Sequence, residues 1–184
     1  MAVEHVAGLP MRDSHTDGGD SPHPPLPVIL WADIFALVDQ GNARPGDYPV
    51  LERLVLEQGK KHPGGLGGLV IIPSEANPPP EEVRRAISEV LMNVGPQLCC
   101  LCWLVEGAGF RAATVRAALI GLRVFSRRSY PTRVAGDMTE AIGWILKNLE
   151  HGKSRDSDLA TAMDAIQRAR RSMQRAGSSD STVL

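Results

Sequence analysis

The sequence predicts an α/β fold: a four- to five-stranded, mostly parallel or mixed sheet flanked by about four helices, plus a C-terminal helix. Two observations carry this expectation. Short apolar, β-branched runs alternate with segments of helical period, an order that calls for crossover connections. Leu98 to Val105 is apolar on both alternating faces, as a central strand covered by helices on both sides must be.

The elements follow in order. Residues 1–25 mix Gly, Pro, Asp, Ser and His without a sustained apolar period, so they cannot offset their ordering entropy and read as a disordered tail. Ser21-Pro-His-Pro-Pro-Leu-Pro27 then leads the chain into the domain in extended form. Val28 to Asp39 has the β-branched and aromatic content of strands, with a break near Asp33. The alternative is a short helix capped by Asp33 and ending at Gly41.

From Pro45 the pattern turns helical. Asp47 can cap, and Val50, Leu51, Leu54 and Val55 form an apolar face before Gly59 stops the run. Pro63-Gly-Gly-Leu-Gly-Gly68 reads as a turn, and Leu69-Val-Ile-Ile72 as a buried strand. After Pro73 to Pro80, Asn77 can cap a second helix whose first turn holds Glu81 and Glu82, suited to the positive helix end. Val83, Ile87, Val90, Leu91 and Val94 recur there at helical spacing.

Gly107-Ala-Gly109 turns the chain from the central strand into a third helix, Phe110 to about Ser126. Thr132 to Ala135 is a brief strand. Asp137 with Glu140 resembles a capping box and opens a fourth helix that buries Met138, Ala141, Ile142, Ile145 and Leu149. A last helix, from about Ser157 to Arg175, follows a polar linker, and Ala176 to Leu184 frays. The division is a tail over 1–25, an α/β domain over 26–151, and linker, amphipathic helix and frayed end over 152–184.

Composition narrows the function. The 20 basic and 21 acidic residues give a net charge of −1, unlike the strongly basic balance of a dedicated nucleic-acid binder. No apolar run approaches the roughly 20 residues that span a bilayer, and Met-Ala-Val-Glu-His at the start lacks the pattern of a secretory signal. The three cysteines, Cys99, Cys100 and Cys102, crowd together and in odd number, which suits a reducing compartment such as the cytoplasm. They share one strand, whose neighbours point to opposite faces, and the histidines are scattered, so no metal site is expected.

No catalytic motif appears: neither a Gly-x-Ser-x-Gly elbow nor His-Glu-x-x-His is present. The Gly-rich run Pro63 to Gly68 precedes a strand and lacks the Lys-Ser or Lys-Thr ending of a phosphate loop. Gly107-Ala-Gly109-Phe-Arg111-Ala112 sits between strand and helix, as a dinucleotide fingerprint does. About twenty positions on stand Arg127, Arg128 and Tyr130 in place of the acid that would meet a ribose. Gly107, Gly109 and Arg111 thus form either a tight packing turn or a turn for an anion or small ligand. No cofactor is expected.

Two basic helix faces remain, Arg116, Arg123 and Arg127 on the third helix and Arg168, Arg171 and Arg175 on the last. Each is either a solvated face or a docking surface for an acidic partner or for phosphate groups. The last helix also carries an apolar stripe, Leu159, Met163, Ile166 and Met173, which must be covered by its own domain or by another subunit of a homo-oligomer.

Several phrases resemble bacterial proteins described as STAS-like or SpoIIAA-like, after the sulfate-transporter and anti-sigma-factor-antagonist domain. They are Pro63-Gly-Gly, Pro78-Pro-Pro-Glu-Glu-Val-Arg84, Val105-Glu-Gly-Ala-Gly-Phe110, Ser129-Tyr-Pro-Thr-Arg-Val, and Ala141-Ile-Gly-Trp144. The likeness spans about residues 26–150. It implies a small mixed sheet flanked by helices and a non-enzymatic regulatory or scaffolding role through protein contact, in some members switched by phosphorylation. Typical members carry an Asp-Ser pair that caps the helix after the second core strand. The matching loop here offers Ser74 as its one hydroxyl, without the Asp. A related fold, the CRAL-TRIO type, implies lipid or small-ligand binding as the alternative.

Overall fold

The computed structural model describes residues 26–125, 130–149 and 156–179; the side chains of 111, 118, 120–125, 156–158 and 172–179 lie outside that description. The tail over 1–25, Arg127, Arg128 and the linker at 150–155 fall outside the described residues.

The stretch from Val28 to Asp39 forms two strands, β1 (Val28–Trp31) and β2 (Ile34–Val38), paired antiparallel. The break predicted near Asp33 is a two-residue turn, with Ala32 at a φ of +49°. The amide of Gln58 secures this turn by donating to the Ala32 carbonyl at 2.6 Å. The remaining elements are α1 (Tyr48–Lys61), β3 (Leu66–Ile72), α2 (Glu81–Val94), β4 (Leu98–Val105), α3 (Phe110–Phe125), β5 (Thr132–Ala135), α4 (Met138–Asn148) and α5 (Asp156–Ser179). Among the described residues the strands make one five-stranded sheet in the order β1-β2-β3-β4-β5, and β2 to β5 run parallel.

Each crossover from β2 to β5 moves one strand along in the same direction. Crossovers keep one hand, so α1, α2 and α3 share a face. Period-two alternation divides the strands accordingly. Phe35, Leu37, Val70, Leu101 and Trp103 pack with Leu51 and Val55 of α1, Val90 and Val94 of α2, and Leu119 of α3. Ile34, Ala36, Leu69, Ile71, Cys100 and Cys102 pack on the other side against Ile142 and Ile145 of α4 and Ile166 of α5. The core is thus two dry layers, one on each side of the sheet.

Several local expectations are corrected. Gly67 and Gly68 belong to β3 rather than to a turn. A Cβ on Gly67 would strike Ile145 of α4, and one on Gly68 would stand 2.6 Å from Leu101 and 2.8 Å from Phe35. These glycines let a helix and neighbouring side chains close on the strand from opposite faces. Helix α1 runs past Gly59 to Lys61, because that glycine is where α1 meets Gln97 rather than where it ends. Asp47 does not cap α1; its carboxylate accepts from the Arg44 amide at 2.8 Å in the preceding turn.

Asn77 does not cap α2 either. The helix starts after Pro80, with Glu81 and Glu82 in its first turn. Asp137 does cap α4, accepting from the Glu140 amide at 2.8 Å, while Glu140 accepts from the Gly136 amide at 3.2 Å. Helix α5 extends to Ser179, beyond the predicted end at Arg175.

The stripe that buries α5 runs through the predicted Ile166, with the predicted Leu159 and Met163 packed against the same core layer. Ala162, Ala165 and Ala169 are buried with it, whereas Leu159 and Met163 are half-buried. Small side chains let α5 lie close on α4, and the larger ones fall at the margin. The side chain of Met173 lies outside the described residues.

Candidate functional site

The parallel strands end together, and their carboxyl edge gathers the loops in which the chain changes direction. At β4 the chain departs through α3 toward one face; at the adjacent β5 it departs through α4 toward the other. Loops that part in this way leave a crevice outside the carboxyl ends, the usual ligand position in open α/β sheets. Gly107 and Gly109 follow β4 with φ of +85° and +90°, a left-handed backbone that side chains resist. The predicted tight turn at these residues is therefore what the backbone adopts.

Arg116 lies over this turn. Its Nη2 donates to the carbonyls of Val105 at 2.9 Å and Gly107 at 3.0 Å, and a Cβ on Gly136 would stand 3.8 Å from it. The side chain is half-buried, so Arg116 braces the β4–α3 turn instead of belonging to an open basic face. The side chains of Arg111, Arg123 and Arg175, and the whole of Arg127, lie outside the described residues.

Ser74 lies beside Gly107. Strand register pairs Ile72 with Val105, so residues two further along each strand come level. A Cβ on Gly107 would stand 2.7 Å from that of Ser74. Ser74 is exposed and its hydroxyl donates to Glu75 at 2.8 Å. It does not cap α2, which begins after Pro80. Ser74 thus adjoins the Gly107 end of the candidate ligand turn. Phe110, the first residue of α3, adds an aromatic ring that is 89% exposed.

On α5, Arg168 is exposed and pairs with Asp164 at 2.8 Å, and Arg171 is also exposed. The consequential arginine is one that sequence reasoning passes over. Arg170 makes a two-pronged pair with Glu106, at 2.5 and 2.6 Å, tying α5 to the residue after β4. Hydrogen bonding to Glu106 holds its guanidinium charged more firmly than usual. Its place next to buried Ala169 is the available signal, since a basic residue at the margin of an apolar stripe can reach across to its own domain.

The cysteines are structural. Cys100 and Cys102 are fully buried. Burial pushes both thiols up to about 12, with the neighbouring cysteines and Asp33 adding to the rise at Cys100 and Glu140 at Cys102. Such thiols stay protonated and unreactive at neutral pH. The expected strict alternation fails at Cys99, where a bulge lets Gly67 pair with Cys100 next after Leu66 pairs with Leu98. Cys99 is half-buried, and its thiol donates to the Gly64 carbonyl at 2.8 Å. Among the described residues no three His, Cys, Asp or Glu side chains gather to hold a metal, and no helix is long and apolar enough to cross a membrane.

A second concavity lies between the sheet and helices α1 and α2. It is a cavity of about 30 Å³ walled by apolar side chains, with Asp39 at the end of β2 as its one charged lining residue. Burial raises the Asp39 carboxyl above its ordinary range, although the Gly41 amide, donating at 2.9 Å, works the other way.

No family model, curated protein or solved structure matches this chain.

Proposed function

We propose that the protein is a non-enzymatic regulatory or scaffolding module of the STAS-like kind, acting by protein–protein contact at the carboxyl edge of its sheet. The observation that carries this reading is Phe110. Its ring is 89% exposed and lies next to the Gly107–Gly109 turn braced by Arg116. It contributes little to the core where it stands. Aromatic anchors of this kind dominate binding energy at protein interfaces when a partner supplies the pocket. Ser74, exposed beside Gly107, is placed for a phosphate to alter the same contact by adding charge next to Glu75. Three unbridged thiols agree with a reducing, cytoplasmic setting.

The test compares the full chain with Phe110→Ser by quantitative cross-linking and capture from lysate, with both proteins checked by circular dichroism. The expected result is a saturable protein partner that Phe110→Ser loses. An absence of saturable partners, or equal capture by both chains, overturns the proposal.

A second reading, small-ligand binding, is favoured by the parting of α3 and α4 at the ends of β4 and β5. The lipid form of that reading has less support. The interior cavity of about 30 Å³ is far below the roughly 300 Å³ at which ligand pockets begin. A small molecule retained by the purified protein in native mass spectrometry would favour the ligand reading.

A further inference from the structure

Helix α3 turns an apolar face to solvent, where a surface helix ordinarily carries its charges. At 3.6 residues per turn Phe110, Ala113, Thr114 and Ala117 fall on one side of it, and all four are exposed. Thr114 spends its hydroxyl within the helix, donating to the Phe110 carbonyl at 2.9 Å. The opposite side holds buried Ala112 with half-buried Val115 and Leu119, so the core is served from there and not from the outward side. Gly121 and Val124 continue the outward spacing in the sequence. Helix α2 shows the contrast, since it exposes Glu81, Glu82, Arg84, Arg85 and Glu89.

The charge of α3 is one-sided as well. Its 16 residues include Arg111, Arg116 and Arg123 and no Asp or Glu. The bonds of Arg116 go to two backbone carbonyls, which leave its charge unneutralised. Among the described residues no carboxylate pairs with it.

We propose that the outward face of α3 is the docking surface for an acidic amphipathic helix of a protein partner. That helix lays its apolar side along Phe110, Ala113 and Ala117 and its acids beside the arginines. The inference rests on the reading of Phe110 as an interface anchor and names the chemistry of the partner.

Other occupants fit this face less well. A second copy of α3 sets three arginines against three, with no acid to separate them. A lipid surface is gripped by bulky side chains that sink into it. Here Ala113, Ala117 and Gly121 are small at every fourth position. Small residues let a second helix axis come close, and arginine meets carboxylates through two parallel hydrogen bonds.

Fluorescence anisotropy of labelled peptides with the full chain provides the test. The probe is a peptide of about 20 residues with leucines at helical spacing, glutamates beside them and alanines elsewhere. Its twin has lysine for each glutamate, and phosphatidylserine vesicles are the third probe. The expected result is saturable binding of the glutamate peptide that weakens as salt rises, with the twin weaker by about tenfold or more. Ala117→Glu places a good helix former at an exposed position, and it should weaken the glutamate peptide by about tenfold or more. Ala113→Glu should do the same, and it decides the matter if the first variant does not fold. Ser88→Glu, exposed on α2, should leave binding unchanged. No saturable binding of the glutamate peptide, equal binding of the twin, capture by the vesicles in its place, or indifference to the folded α3 variants would each overturn the proposal. If the glutamate peptide fails while Phe110→Ser still loses a cellular partner, the interface reading stands and the acidic-helix chemistry falls.

Discussion

Asp39 pairs its backbone amide with the Ile71 carbonyl in the sheet while its side chain meets the apolar cavity below. Burial lifts its folded pKa above the unfolded value of about 3.9, so the fold prefers the protonated form. The stability this group contributes is fully present below the ordinary carboxylate range and is lost as pH rises through the raised folded value. An asparagine in its place would keep an acceptor for the Gly41 amide and carry no charge. Asp39→Asn is therefore expected to be more stable than the parent at pH 7, with a gap that narrows as pH falls through the raised folded value and closes below about 4. Urea denaturation from pH 3.5 to 8 measures this, and a less stable variant at neutral pH contradicts it. In the sequence Asp39 reads only as the end of a strand. Where its side chain comes to lie depends on the register of β2 and on where α1 passes, which no local pattern encodes.

Glycines inside regular elements show how one residue type serves opposite ends. Gly68 in β3 is wedged between Leu101 and Phe35, so Gly68→Ala is expected to cost about 1–3 kcal/mol by overpacking. Gly143 in α4 has nothing within 4 Å of where its Cβ would be. Gly143→Ala is expected to gain about 0.5–1 kcal/mol, because it removes the backbone entropy that glycine loses on forming a helix. Thermal unfolding of the two variants should move the midpoint in opposite directions.

Elements with strong local signals were legible. The span of β4 and β5, the cap of α4 at Asp137 and the body of α3 were all readable from apolar runs and cap chemistry. Pro63 to Gly65 does turn, but Gly67 and Gly68 misled, because a glycine pair signals a turn by local rules, whereas here Gly67 answers to Ile145 arriving from a helix far along the chain and Gly68 to Leu101 and Phe35.

Across the molecule as one body, α5 completes the second core layer. Ile166 is fully buried against it, and Arg170 fastens the helix to Glu106 at the carboxyl edge. Ile166→Ala is expected to cost about 2–5 kcal/mol through lost burial and the cavity left behind. Hydrogen exchange should then show α5 amides losing protection more than those of β3 and β4. Uniform loss across both would mean that α5 and the sheet unfold as one unit. The predicted stripe of Leu159, Met163 and Ile166 does pack on its own domain, and the apolar period did not show that Ala162, Ala165 and Ala169 are buried beside it.

Local pattern in the chain is enough to set the order and kind of the elements, the mixed and mainly parallel sheet, and the burial of Cys100 and Cys102. Those follow from the period of apolar residues and from caps, which act over a few positions. Folding in three dimensions is what makes Ser74 meet Gly107, brings Arg170 to Glu106 and gives Asp39 a cavity shared with Trp103. Each joins residues well apart in the chain, and only strand register and helix placement bring them within reach.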